Sequence, residues 1–294
     1  MNIFLDNVDL NSRSGPNHFA QKLVKYMQRQ GHTFTFAEKI DAQLSFIQKT
    51  NKIQNAKLFQ RLDGIYFNKD FDYVSQNNPI LETYKHSDGV IFQSEFNKKL
   101  SFEFFGEHSN YKIIRNGADL EFINSVRPLD HDVVNNHDKV WSCASSWRPH
   151  KRLNDNIRYF LEHSGENDCL IVAGEVENPV AQDRVYYVGN LDIYTLISLY
   201  KKSDYFIHLA FLDHCPNVVV DAAACGCKII CSSSGGTKEV AIGATLIEED
   251  EWNFKPLKLY DPPELDFTKK VENKHNTNID MSYVAMQYGK FLGG

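Results

Sequence analysis

Cysteine is scarce, with six in 294 residues (143, 169, 215, 225, 227 and 231). They fall mostly inside apolar runs that read as strands or helices. That spacing excludes a disulfide framework and fits reduced thiols in a cytoplasmic protein. Long hydrophobic runs are also missing: the longest nearly apolar stretch, Tyr205 to Leu212, contains His208 and falls far short of the ~20 residues a membrane-spanning helix needs. The opening Met-Asn-Ile-Phe-Leu-Asp has no basic leader and meets Asp6 before a signal-peptide core can form, so secretion is not expected. Neither sign of charge dominates. The net charge is −6, with 15 Lys/Arg against 13 Asp/Glu in residues 1–120 and 17 against 25 in residues 121–294. No basic stripe with interleaved aromatics stands out, so nucleic acid is not an expected partner, whereas a mildly basic first half leaves peripheral contact with an anionic membrane open. Low-complexity tracts and short internal repeats are absent. So are the dinucleotide fingerprint G-x-G-x-x-G and the Walker lysine pattern, which removes support from nicotinamide and P-loop chemistry.

What is present is an alternation. Apolar runs of about five residues are each followed by a Gly-, Ser- or Asn-rich turn and then by a stretch of helical period, the pattern of an α/β protein with mainly parallel sheets. In the first half the expected strands are Met1–Leu5, a start at His32–Ala37, Lys57–Leu62, Gly89–Gln93 and Tyr111–Ile114. A helix carries Phe19, Leu23, Val24, Tyr26 and Met27 and ends near Gly31, and another starts at Ser94. Residues 121–139 are polar, with Pro128 and an Asn-Asn pair, and read as a boundary between two domains, 1–122 and 123–280. The second half gives strands Val140–Ala144, Cys169–Ala173, Val185–Val188, Tyr205–Leu209 and Lys228–Cys231. Between them lie helices Asn154–His163, Asp192–Lys202 and Asn217–Cys225. After Gly243 the chain reads as acidic and irregular through Asp261-Pro-Pro263, until Met281–Leu292 offers a last helix that either packs back on the first domain or serves as an ordinary core helix.

Three loops after second-half strands carry chemistry. Ser145-Ser-Trp-Arg-Pro-His-Lys-Arg152 places Arg148, Lys151 and Arg152 ahead of a helix whose positive end repels them. Either these long side chains bend into water or an anion such as phosphate sits there. Asp213-His-Cys-Pro-Asn-Val-Val-Val-Asp221 opens a helix with Pro216 at its first position, leaving amides at Asn217 and Val218 free for an anion. Asp213 and Asp221 then flank a phosphate-competent helix start, either as acceptors for sugar hydroxyls or as a cap and a solvated side chain. Ser232-Ser-Ser-Gly-Gly-Thr237 has paired glycines, among them Gly236, that let a backbone approach a ligand at the end of a parallel sheet. In the first half the loop Asn11–His18 holds Gly15 and His18. Asp63 follows Arg61-Leu62 at the end of a strand, and either contacts a ligand or serves as a turn aspartate before Gly64. Cys225-Gly-Cys227 has no second pair and does not suggest a metal site.

These residues resemble glycosyltransferase family 4. Ile114-Arg-Asn-Gly-Ala-Asp119 is similar to its "I-x-N-G-V-D" block, and Trp147–Arg152 to its basic "K-G" loop. Tyr187-Val-Gly189 with Leu199-Tyr-Lys-Lys-Ser-Asp204 resembles "G … L-Y-x-x-A-D". Asp213 to Gly226 resembles "E-G-C-P-N-V-V-L-E-A-M-A-C-G", and Gly235-Gly-Thr-Lys-Glu239 resembles "G-G-x-x-E". Ser14-Gly15, Gly31-His32 and Phe92-Gln-Ser-Glu-Phe96 extend the match into the first half. The resemblance implies a GT-B fold of two facing Rossmann-like domains and retaining transfer from a nucleoside-diphosphate sugar (UDP- or GDP-linked), without a required metal or other cofactor. It places Asp213 on the donor hexose and Asp221 on the ribose. Lys151 and Arg148 would neutralise the diphosphate leaving group, which is held by amides of Gly15, Asn217 and Val218, with Gly236 also on the donor side. His18 and Asp63 fall on the acceptor side, and the acceptor is a glycan, a lipid-linked sugar or another molecule. Two departures stand out. Both family glutamates are aspartates here, and Arg148 precedes Lys151 by three residues instead of about five. The shortened carboxylates leave open a catalytically silent protein of the same fold that only binds a nucleotide sugar or glycan.

Overall fold

A computed structural model describes all residues except 13, 35–38 and 52. The first part of the chain runs β1 (Asn2–Asp6), α1 (Gly15–Arg29), β2 (Thr33–Phe34), β3 (Ala42–Phe46), β4 (Lys57–Leu62), α2 (Tyr73–His86), β5 (Gly89–Phe92), α3 (Glu95–Phe105) and β6 (Tyr111–Ile113). Two short helices follow, α4 (Leu120–Ser125) and α5 (Asp132–Asn135). The second part runs β7 (Val140–Ala144), α6 (Leu153–His163), β8 (Cys169–Ala173), β9 (Val185–Gly189), α7 (Ile193–Lys202), β10 (Tyr205–His208), α8 (Asn217–Ala224), β11 (Lys228–Ser232), β12 (Thr245–Ile247), β13 (Lys270–Glu272) and α9 (Met281–Gly293). Two sheets result, ordered β2-β1-β3-β4-β5-β6 and β13-β12-β11-β10-β7-β8-β9. Every pairing is parallel except β12 with β13. The fold is therefore α/β, with two Rossmann-like domains facing each other.

Parallel strands covered on both faces lose the inside-outside alternation of a half-exposed sheet. In β7 and β8 all five residues are buried, which is why Val-Trp-Ser-Cys-Ala and Cys-Leu-Ile-Val-Ala read as continuous runs. α1 buries Phe19, Ala20, Leu23, Tyr26 and Met27, a stripe at three- and four-residue spacing. α9 packs Met281, Val284, Ala285, Tyr288 and Leu292 into that same core beside Phe19, Leu23 and Leu44. It therefore belongs physically to the first sheet.

The structure adds elements that the sequence reading lacks. Of the strand expected at His32–Ala37, Thr33–Phe34 is formed, and 35–37 lie outside the described residues. β3 is wholly buried yet carries Gln43 and Ser45, whose side chains bond the Asp6 carboxylate. α2 contains Pro79, which argues against a helix from sequence; Asp72 caps it by accepting from the Ser75 amide. The tract after Gly243 is not irregular throughout. It supplies β12 and β13, and between them it crosses to the first domain, where Leu257 pairs with Asn68 and Trp252 packs on Phe67 and Phe96. Among the described residues no helix is long and apolar enough to cross a membrane.

Candidate active site

Between the domains lies a cavity of about 770 Å³, within the size range of small-molecule sites. Its second-domain wall is built by the strand ends that the sequence singled out. β7 leads through a single 3₁₀ turn, Pro149–Lys151, into α6, and β10 leads through Asp213 into α8. Lys151 Nζ lies 2.5 Å from Asp213 Oδ2, and His208 Nε2 lies 2.9 Å from the same oxygen. The other oxygen accepts from the His214 amide at 2.9 Å. Burial resists ionisation of Asp213, but Lys151 and His208 outweigh it and hold the carboxyl well below the usual range. Burial depresses the His208 pKa, with Asp213 pulling the other way, so a neutral imidazole serves as hydrogen-bond donor to the carboxylate.

The three cations of the first loop separate. Arg148 is exposed and Lys151 half-buried, and both line the cavity. Arg152 does not reach it. This residue is buried, with φ of 53°, and its guanidinium makes two 2.8 Å bonds to Glu249 and donates to Pro263 O at 2.7 Å. Part of the cationic conflict at the helix start is thus relieved by a carboxylate of the protein instead of an anion.

α1 and α8 point their N-terminal ends at each other across the cleft. Asn217 Nδ2 donates to Gly15 O at 3.0 Å, and Gly15, Asn217 and Val218 all line the cavity. Pro216 is the N-cap of α8 and not its first helical residue. The first amides of each helix have no intrahelical acceptor, so two positive helix ends converge on one space. Asp221, buried on α8, is held by Lys22 of α1 at 3.2 Å. His18 Nε2 lies 3.9 Å from the other Asp221 oxygen. His18 was expected with the acceptor, yet it sits against the carboxylate assigned to the ribose. Helical geometry explains this, because positions 18 and 22 are one turn apart and share a face.

Gly236 also departs from expectation. It is buried and not among the cavity residues. Its amide donates to Asp213 O at 2.7 Å, and a Cβ there would stand 2.1 Å from His214 O. Close approach to the protein's own Asp213 turn, not to a ligand, demands this glycine.

Asp63 lines the cavity from the first domain, where Arg61 and Gln93 both contact its Oδ1. The next residue, Gly64, has φ of +146°, and a Cβ there would lie 2.5 Å from the His214 ring. Gly64 thereby leaves room for the His214 ring at the domain junction. Glu239 makes a further junction. It accepts from the amides of Glu95 and Phe96 at the start of α3, and from Arg115. Sequence reasoning missed Arg61, Gln93, Asn116 and His208 as cavity residues. For Arg61 the adjacent Asp63 was the available signal; the others become neighbours only through the sheet topology. Among the described residues no group of three or more His, Cys, Asp or Glu side chains is placed to hold a metal ion.

Residues 135–251 match the family described as glycosyl transferases group 1. No curated protein matches the chain in sequence. Solved structures resemble it along their whole length. Anabaena Alr3699/HepE, crystallised with UDP-glucose, superposes with a TM-score of 0.71 at 14% identity, covering 100% of this chain and 99% of that one. Sucrose-phosphate synthase from Thermosynechococcus elongatus gives 0.67 at 11% identity, covering 98% and 97%. AviGT4, a glycosyltransferase of avilamycin A biosynthesis, gives 0.66 at 11% identity, covering 99% and 97%. The likeness to these structures establishes the GT-B fold. The family match over the second domain supports a glycosyltransferase.

Proposed function

We propose that the protein is a retaining glycosyltransferase of family 4 type that moves a sugar from a nucleoside-diphosphate donor to a glycan, lipid-linked or other hydroxyl acceptor. The observation that carries this reading is the meeting of the α1 and α8 N-termini beside Lys151 in one cavity. Two positive helix ends and an ammonium facing one another are mutually repulsive until an anion occupies the space between them, and a diphosphate suits that space. Lys151 spends one of its three N–H donors on Asp213 and keeps two for phosphate oxygens. Arg148 adds charge from the rim. As the sugar–phosphate bond breaks, these groups and the amides of Gly15, Asn217 and Val218 stabilise the charge developing on the leaving group. Asp213, kept ionised, accepts from hexose hydroxyls. Asp221 serves the ribose, sharing its carboxylate with Lys22. The departing phosphate takes the acceptor proton on the same face of the sugar, so the protein needs no strong base. The UDP-glucose complex of Alr3699/HepE supports a UDP-linked donor, and no step in this scheme calls for a metal. The cytoplasm, where nucleotide sugars are made, is the compartment that fits.

The silent-binding reading draws on one observation: both aspartates are already engaged by lysines, Asp213 by Lys151 and Asp221 by Lys22. A thermal-shift panel with UDP, GDP, ADP and NAD, followed by a donor-consumption assay, tests both. A ligand at 100 times its Kd adds about 2.7 kcal/mol of stability. Stabilisation by UDP or GDP with donor turnover and retained anomeric configuration is the expected result. Stabilisation without turnover would favour the silent protein, and a response to NAD alone would refute the transferase.

A further inference from the structure

Asp221 is held firmly from one side only. Lys22 Nζ lies 3.2 Å from Oδ1, and the two side chains are 6% and 7% exposed, so releasing this pair would strand a buried charge. The other oxygen, Oδ2, faces His18, whose Nε2 stands 3.9 Å away. That distance is too long for a hydrogen bond, and the Lys22 bond fixes the carboxylate, so the gap stays open. Burial and the Lys22 ammonium lower the His18 pKa, which leaves the ring neutral. A carboxylate opposite a neutral imidazole favours the tautomer with its proton on Nε2. A donor and an acceptor therefore face each other without meeting, and both residues line the cavity. An oxygen about 2.8 Å from each of them spans such a gap. A hydroxyl has the right chemistry, because it donates to Oδ2 with its hydrogen and accepts from Nε2–H with a lone pair.

We infer that one ribose hydroxyl of the donor nucleotide closes the gap between His18 Nε2 and Asp221 Oδ2, and that His18 is thereby a residue that selects ribonucleotides. The inference rests on the transferase reading, which gives Asp221 to the ribose, and it moves His18 from the acceptor side to the donor. The clamp has one jaw in each domain: Asp221 on α8 and His18 on the first turn of α1. Lys22, one turn further along α1, is a positioning residue that pins the second-domain jaw at the spacing a single oxygen fills. Recognition of the nucleotide is then shared by both domains instead of belonging to the second alone.

Calorimetric titration with UDP and GDP, and with the 2′-deoxy and 3′-deoxy forms of each, tests this. At least one deoxy form is expected to bind tenfold or more weakly than its parent nucleotide, because it leaves Oδ2 and Nε2 without a partner. His18→Phe keeps a ring but no donor. It is expected to weaken the parent nucleotide about fivefold and to leave a sensitive deoxy form within twofold, so that the discrimination shrinks. A merely structural role for His18 would weaken parent and deoxy forms alike. His18→Gln, which returns an N–H to the same region, should recover part of the discrimination. If His18→Phe fails to fold, His18→Ala carries the same test. Equal affinity of parent and deoxy nucleotides for the unaltered protein overturns the inference, and so does an equal loss of both in the folded variant. Failure of UDP and GDP alike to bind the unaltered protein instead removes the transferase reading, and the clamp with it.

Discussion

Replacing Arg152 by methionine separates two adjacent cations that look alike in sequence. The Arg152 side chain is 1% exposed and that of Glu249 6%. The guanidinium also holds the carbonyl of Pro263, which ties the strap after β12 to the start of α6. Removing one partner of such a pair strands the other charge, at a cost of about 3–5 kcal/mol. With an unfolding entropy of about 2.1 cal/mol/K per residue, a chain of 294 residues would melt roughly 5–8 °C lower. Replacing both partners, in Arg152→Met with Glu249→Leu, should recover most of that loss, since an apolar pair of similar volume avoids the stranded charge. Calorimetric melting combined with UDP titration reads both quantities. The folded Arg152→Met protein is expected to bind UDP as the unaltered protein does. A variant that melts normally but binds UDP tenfold more weakly would refute the structural role and return Arg152 to the phosphate site.

Lys151→Ala should abolish donor consumption while leaving a cooperative melt; unchanged transfer kinetics would sink the phosphate assignment. Gly236→Ala brings a Cβ to 2.1 Å from His214 O and should cost about 1–3 kcal/mol by overpacking, with donor affinity falling because the Asp213 turn shifts; urea unfolding and UDP titration check it. Acid should destabilise the protein well before carboxylates protonate. Burial pushes His150 down to about 3 and His214 to about 4 from an ordinary 6.5. In both cases the unfolded chain binds a proton that the native state refuses. Stability is therefore full above pH 6.5 and falls by up to ~1.4 kcal/mol per pH unit per histidine as pH drops toward 4. A flat unfolding free energy between pH 7 and 5 would contradict this.

Much of the second domain was legible because its chemistry is local. Each functional loop lies between a buried strand and a helix start, so position in the alternation was enough to single out Lys151, Asp213, Asn217 and Asp221. What could not be read depended on partners distant in sequence. Arg152 and Lys151 are neighbours with opposite fates, decided by Glu249 almost a hundred residues on. His18 faces Asp221 only because the N-terminal ends of α1 and α8 meet across the cleft. Gly236 resembled a ligand-facing glycine because sequence does not reveal which backbone approaches it. β13 was missed because Lys270–Glu272 is exposed throughout and has no apolar period, and α2 because Pro79 disguised it. Arg61 went unnoticed because its strand reads as ordinary, while its partner Tyr288 and the Phe19 and Phe46 rings beside it come from three separate elements and its counter-ion Asp63 from the loop that follows β4.

The return of α9 has a consequence for how the protein comes into being. The core containing Phe19, Leu23 and Leu44 is completed by Met281, Val284 and Tyr288, so a ribosome that has made the whole first sheet has not yet made the material that closes it. Until then the apolar face of α1 is covered only in part, by the first sheet, and contacts of such long sequence separation form slowly. The second domain, with no such debt to later sequence beyond its edge strand, can mature while the first still waits. Order of synthesis and order of folding are then reversed, and the interval between them is when a chaperone would have something to hold.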